Sequence, residues 1–197
     1  MADVTFFFDP ACPWTWRASR WLTLVAETRG LGIEWRPLSL WLLNDRDVVE
    51  PVKRARLETS HRFLRVIAKL GEDGRQEDIA RLYTEAGTVV HENGQPFDDP
   101  TVAHVLRDSG LDSCGSALDD AALDAAVEAS TAAAMAAAGP GVGSPVLLLD
   151  GAERGLHGPV LGEIPDKAES LAVWDAVEAL APIPAFFEIK RGRPSSG

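Results

Sequence analysis

Cysteine is scarce in this chain, with only Cys12 and Cys114 among 197 residues. Two cysteines cannot make the disulfide framework of a small secreted protein. No apolar run approaches the roughly 18 residues that a membrane span requires. The start of the chain shows no basic stretch followed by an apolar one, so no secretory signal is read there. These absences lead us to expect a cytoplasmic protein with free thiols and no membrane partner. Positive charge is short as well: 19 Lys and Arg stand against 30 Asp and Glu, a net charge of −11. That balance argues against nucleic acid or an anionic membrane surface as the main partner. The four histidines and two cysteines lie scattered, without C-x-x-C or H-x-x-x-H spacing, so no metal site is expected. No glycine-rich phosphate loop follows a strand, and no G-x-S-x-G elbow occurs. Repeats are absent too.

What is present is ordinary for a globular protein, 46% hydrophobic and 25% charged, and long enough for one well-buried core. Val4 to Phe8 is a continuously apolar run and reads as a buried strand. From Pro13 to Glu27 the apolar residues Trp14, Ala18, Trp21, Leu22 and Val25 recur at helical spacing, with Pro13 suited to the first turn. Gly30 and Gly32 break the chain before a second strand, Ile33 to Leu38. Charged, amphipathic helices follow over Glu50 to Leu70 and around Ile79, Leu82 and Tyr83. A short one covers Thr101 to Arg107, and an Ala-rich helix Asp119 to Ala138. Gly139 to Gly143 ends that run. Ser144 to Leu149 then reads as a strand, Leu156 onward as its partner, and Asp166 to Leu180 as a closing helix with Leu171, Trp174 and Val177 on one face. Arg191 to Gly197 reads as a frayed tail. The order β-α-β, helices, β-β-α gives an α/β domain from residues 1–42 and 139–197, interrupted by a helical insertion over 43–138. The last helix of the insertion is expected to pack on the sheet.

The chemistry concentrates in FFFDPACPWTWRASRW, Phe6 to Trp21. Cys12 follows a strand and precedes a helix, where unpaired N–H groups and the helix dipole favour thiolate over thiol. Such placement lowers a cysteine pKa from about 8.5 into the range of roughly 3.5 to 7.5. A cysteine in so tight a connection is expected to be accessible. The alternative is a small buried hydrophobe.

Strand, FDPxCPW and aromatic-rich helix resemble the start of the DsbA-like thioredoxin-fold superfamily, and most closely its mycothiol-dependent nitroreductase and oxidoreductase branch. Gly141-Val142-Gly143-Ser144-Pro145, Gly158-Pro159-Val160-Leu161 with Ile164-Pro165, and Phe186 to Arg191 resemble that branch too. The resemblance implies a thioredoxin fold with an all-helical insertion and Cys12 as nucleophile. It further implies a cis Ser144–Pro145 bond facing the thiol, where an unaided reading gives a trans proline opening an edge strand. It also implies a low-molecular-weight thiol, mycothiol or similar, as cosubstrate, with no tightly bound cofactor.

The branch carries CPWC, whereas this chain has Thr15 in place of the second cysteine. A resolving thiol releases substrate from a mixed disulfide, so the expectation becomes monothiol chemistry, in which Cys12 attacks a disulfide or electrophilic substrate and the small thiol resolves the adduct. The Thr15 hydroxyl either bonds the Cys12 sulfur or caps the first helical turn. Pro13, Trp14, Ser144, Pro145, His91 and His157 are the candidate substrate and thiol contacts, with Trp14 expected as an exposed platform. His91 also fits an ordinary helix end before an Asn-Gly turn. His61 and His104 read as helix-surface residues, and Cys114 as a bland thiol. Two other readings stay open. One is a thiol-binding enzyme like the kappa-type glutathione transferases and related isomerases, which use a hydroxyl residue at the Cys12 position. The other is a redox-inactive thioredoxin-fold binding module.

Overall fold

Three consecutive phenylalanines explain where the sheet sits. In β1 (Val4–Phe8), Phe6, Phe7 and Phe8 are all at most 1% exposed, so both faces of the strand are covered. A strand buried on both faces belongs in the middle of a sheet. β1 pairs in parallel with β2 (Ile33–Pro37) and antiparallel with β3 (Val146–Leu149), and β3 carries the short β4 (Leu156–His157), giving the order β2-β1-β3-β4. This computed structural model describes residues 2–44 and 50–192. Residues 193–197 of the expected tail lie outside the described residues.

The parallel pair requires a crossover, supplied by α1 (Pro13–Arg29). The helix stops at Gly30, whose φ of 74° closes the turn by donating to the Ala26 carbonyl. α7 (Lys167–Leu180), opened by a capping box of Asp166 and Glu169, packs against α1. There Trp21 and Trp174 lie 6.1 Å apart, and the Trp21 indole N–H donates to the Ser170 carbonyl at 2.9 Å.

Between β2 and β3 the chain is helical: α2 (Leu40–Leu43), α3 (Pro51–Glu72), α4 (Gln76–Gly87), α5 (Asp99–Asp108) and α6 (Asp124–Ala138). The helical region shares one hydrophobic core with the sheet. Tyr83 of α4 stacks on Phe8 at 4.2 Å and meets Trp35 of β2 edge-on. α6 returns along the sheet, with the Ser130 hydroxyl donating to the Pro37 carbonyl and Thr131 accepting from Ser39 N.

Two expectations need correction. The Ala-rich helix begins at Asp124. Residues Asp112–Asp119 and Ala121–Leu123 form 3-10 turns, the second opened by the Asp120 side chain accepting from Ala122 N. His61 is not a surface residue but 5% exposed. Its Nδ1 meets the Ser39 hydroxyl and its Nε2 meets Asp124, both at 3.0 Å, and Arg65 grips the same carboxylate. A histidine tied between α2, α3 and α6 is a structural joint, and neither hydropathy nor spacing betrays it.

Candidate active site

The connection from β1 to α1 is shaped by Asp9, which is wholly buried. One carboxylate oxygen accepts from Ala11 N at 2.8 Å and the Ser60 hydroxyl at 2.5 Å, and the other accepts from Leu40 N at 2.7 Å. Burial nevertheless pushes its pKa above the usual carboxylate value, against those three donors and the Arg56 charge. The insertion clasps the same loop from outside. Arg56 donates to the Ala11 carbonyl at 2.6 Å, and His91 Nε2 donates to the Pro10 carbonyl at 2.8 Å. Asp9, Arg56 and Ser60 went unrecognised in the sequence. The only hint was an acid directly before Pro10, which also fits a plain strand end.

Cys12 is the residue before the first helical turn of α1. Its thiol faces the Ser144 carbonyl at 3.7 Å, in the loop where the Ser144–Pro145 bond is cis. Thr15 is fully buried, with its hydroxyl 2.7 Å from that of Ser144, which in turn accepts from Asp9 N at 3.0 Å. The Thr15 hydroxyl also bonds the Cys12 sulfur, as do the backbone N–H groups of Thr15 and Trp14.

The expectation of an accessible, acidic thiol is overturned. Cys12 is only 8% exposed, and burial pushes its pKa above the ordinary thiol value. Desolvation outweighs the Thr15 bonds, and the nearby Asp9 charge pushes the same way. Helix-start placement was visible in the sequence. The burial of the loop, which Arg56, Ser60 and His91 of the insertion clasp, was not.

The remaining candidates surround this centre unequally. Pro13 is exposed and Trp14 half-buried, so Trp14 is not the open platform expected, and the Arg17 guanidinium lies over its ring at 5.0 Å. His91 sits in a π-helical turn, Thr88–Glu92, and stacks on Trp16 with ring centroids 6.1 Å apart. Burial, helped by Arg56 and Arg17, lowers its pKa to about 4. At neutral pH it is therefore uncharged, with its proton on Nε2 and its lone pair on Nδ1. His157 is exposed on β4, and its Nδ1 donates to the carbonyls of Gly143 and Pro145. It touches the cis-proline loop rather than the thiol. A cavity of about 600 Å³ lies beyond it, walled by Pro159, Val177, Leu180, Ile183 and Phe186. The Gly158–Pro159 bond at its edge is also cis. Cys114 belongs to the 3-10 turn in the helical layer, its sulfur 3.8 Å from Arg75. Both cysteines are free.

Among the described residues, no group of three His, Cys, Asp or Glu could hold a metal ion. No described helix is long and apolar enough to cross a membrane.

Comparison with known proteins bears on this arrangement. Residues 11–191 match the family described as that of the mycothiol-dependent nitroreductase Rv2466c. The chain is 32% identical to the uncharacterised Mycobacterium tuberculosis protein Rv2286c, over 97% of this chain and 82% of that one. Among solved structures it is similar to the cytosolic disulfide reductase DsbM from Pseudomonas aeruginosa with GSH. The TM-score is 0.58 at 17% identity, over 90% of this chain and 99% of that one. It is also similar to a candidate protein-disulfide isomerase from Pseudomonas syringae. There the TM-score is 0.52 at 18% identity, over 86% and 91% of the two chains. At these identities the structural likeness establishes the fold, a DsbA-like thioredoxin fold carrying a helical insertion.

Proposed function

The chain belongs to the mycothiol-dependent nitroreductase family of Rv2466c, and from that premise we propose that it is a thiol oxidoreductase working through Cys12 alone. The observation that carries this reading is what replaces the second thiol. The Thr15 hydroxyl is buried, bonded to Ser144 and directed at the Cys12 sulfur. Position 15 therefore supports one thiol and cannot itself release a bound partner.

In the first step the Cys12 thiolate attacks a disulfide R–S–S–R. The bond Cys12–S–S–R forms, R–S⁻ leaves, and the proton of the thiol goes to solvent. In the second step a small thiol, as thiolate, attacks the sulfur of R. The mixed disulfide breaks, Cys12 recovers its electron pair, and the small thiol departs bonded to R. The family name supports mycothiol as that small thiol. The Ser144 carbonyl and cis-Pro145 form the edge along which the partner lies, with Pro13 and Trp14 opposite. His157 holds the proline loop in place. His91, uncharged and bonded to the Pro10 carbonyl, flanks the approach of the incoming thiol. The scarcity of cysteine and the reductive chemistry fit a cytoplasmic setting. Residues 1–42 and 139–197 supply the thiol and proline loop, and the 43–138 insertion supplies the clasp.

Intact-mass spectrometry after exposure to a small disulfide tests the reading. One adduct is expected on Cys12, formed faster at pH 8 than at pH 6, removed by added thiol and absent in Cys12→Ser. Loss of two mass units would instead reveal a Cys12–Cys114 bridge and end the monothiol mechanism. A second reading, a thioredoxin-fold binding module, is favoured by the burial and raised pKa of Cys12. Complete inertness of Cys12 at pH 8 would establish it.

A further inference from the structure

On a chain of net charge −11, the rim around Cys12 carries the opposite sign. Arg56 reaches the loop from α3, and its bond to the Ala11 carbonyl fixes the guanidinium one residue from the thiol. Its buried Nε has no hydrogen-bond partner. Arg17 stands one turn into α1, over the Trp14 ring, and reaches the Leu161 carbonyl at 3.5 Å. Among the described residues, neither makes an ion pair with a carboxylate. Asp9, whose carboxyl feels the Arg56 charge, is buried with both oxygens engaged. Both cations act electrostatically on His91 as well.

Two half-buried guanidiniums without carboxylate partners are suited to an acid group arriving from outside. We propose that Arg17 and Arg56 form an anion-recognising rim, so that the disulfide attacked by Cys12 carries a carboxylate or comparable acid beside its sulfur. This rests on the monothiol reading and names the substrate class of that same site. The reaction is unchanged: the Cys12–sulfur bond forms, the disulfide bond breaks, and the leaving thiolate takes the electron pair with its acid group.

The test uses the full chain and three disulfides: dianionic 5,5′-dithiobis(2-nitrobenzoate), neutral 2,2′-dithiodipyridine and dicationic cystamine. Each rate at Cys12 is divided by the rate of 2-mercaptoethanol with the same reagent, which removes intrinsic reactivity. The dianion is expected to exceed the dication by roughly tenfold, and high salt is expected to shrink the ratio. Arg17→Gln is expected to lower the ratio several-fold, Arg56→Gln likewise, and Arg56→Lys to retain most of it. Should Arg56→Gln fail to fold, Arg17→Gln decides, since Arg17 makes no bond to the Pro10–Ala11 loop. Equal normalised rates for all three reagents would overturn the rim and leave the monothiol reading standing. No reaction at Cys12 with any of them would overturn both.

Discussion

Gly87→Ala is the sharpest probe of how the insertion supports the active-site helix. Gly87 ends α4 with a helical φ of −68°, so alanine meets no backbone penalty there. Space is the obstacle. A Cβ would sit 2.1 Å from two carbons of the Trp16 ring and 2.7 Å from a third. That is about 1.4 Å inside the usual carbon–carbon contact. The ring has nowhere to go: Tyr83 meets it edge-on at 5.8 Å, His91 stacks at 6.1 Å, and the Arg20 guanidinium covers it at 4.3 Å. Overpacking costs typically about 1–3 kcal/mol, and the better helix propensity of alanine returns up to about 1 kcal/mol. With a rigid ring on one side and backbone on the other, the upper end applies. The net loss is expected near 2 kcal/mol, or roughly 4–8 °C in Tm for a chain of this length. Thermal unfolding followed by circular dichroism measures it. In a Trp16→Leu background the smaller side chain leaves room for the Cβ, so the same change is expected to cost much less. Wild-type stability of Gly87→Ala, or an equal cost in both backgrounds, would refute the reasoning.

Other perturbations probe the site itself. Thr15→Val removes a hydroxyl bonded to Ser144 and to the Cys12 sulfur. It is expected to raise the thiol pKa further and to cost about 1–2 kcal/mol, read from the pH dependence of alkylation and from urea unfolding. Thr15→Cys restores a second thiol where the hydroxyl now sits. Oxidation is then expected to give loss of two mass units, with no retained small-thiol adduct. His91 has a folded pKa of about 4 against an ordinary 6.5. The unfolded chain therefore binds more protons in that window, and stability falls as pH drops from 6.5 towards 4. The loss is on the order of 3 kcal/mol. In His91→Gln the slope of unfolding free energy against pH should flatten there, and an unchanged slope would contradict the assignment.

The elements that were legible are those whose signal is local. An all-apolar β1 announces a central strand, and helical spacing with Pro13 before it and Gly30 after it bounds α1 to within two residues. The order of short motifs around Cys12, Pro145 and Pro159 led to the family. What stayed hidden depends on partners far along the chain. The loop that holds Cys12 is clasped by Arg56, Ser60 and His91, 45 to 81 residues from the atoms they bond. Cys12 in that loop is buried, and burial reverses the pKa that a helix start alone implies. His61 escaped for the same reason, being polar on its own helix yet sealed by α2 and α6. Nothing local singles out Arg17 and Arg56, whose contacts with the Leu161 and Ala11 carbonyls are made far along the chain.

The burial of Cys12 still has to be reconciled with reactivity, and the Ser144 carbonyl offers the means. A neutral thiol can donate to that carbonyl, whereas a thiolate cannot. The other groups on the sulfur, the Thr15 hydroxyl and the N–H groups of Trp14 and Thr15, are donors. Burial holds the resting thiol protonated, and in that form it donates to one acceptor among several donors. A partner that offers its own N–H to the Ser144 carbonyl takes the thiol's place there, and the donors left around the sulfur then favour its charged form. Linkage makes the effect reciprocal, since a ligand that lowers the thiol pKa must bind more tightly to the thiolate than to the thiol. An S-methylated small thiol with an amide N–H, saturating but unreactive, is therefore expected to lower the pKa of Cys12. Ultraviolet thiolate absorbance, taken as the difference between wild type and Cys12→Ser, follows that titration. A midpoint that stays put or rises on binding would show that the carbonyl does not hold the proton, and that ionisation must precede recognition.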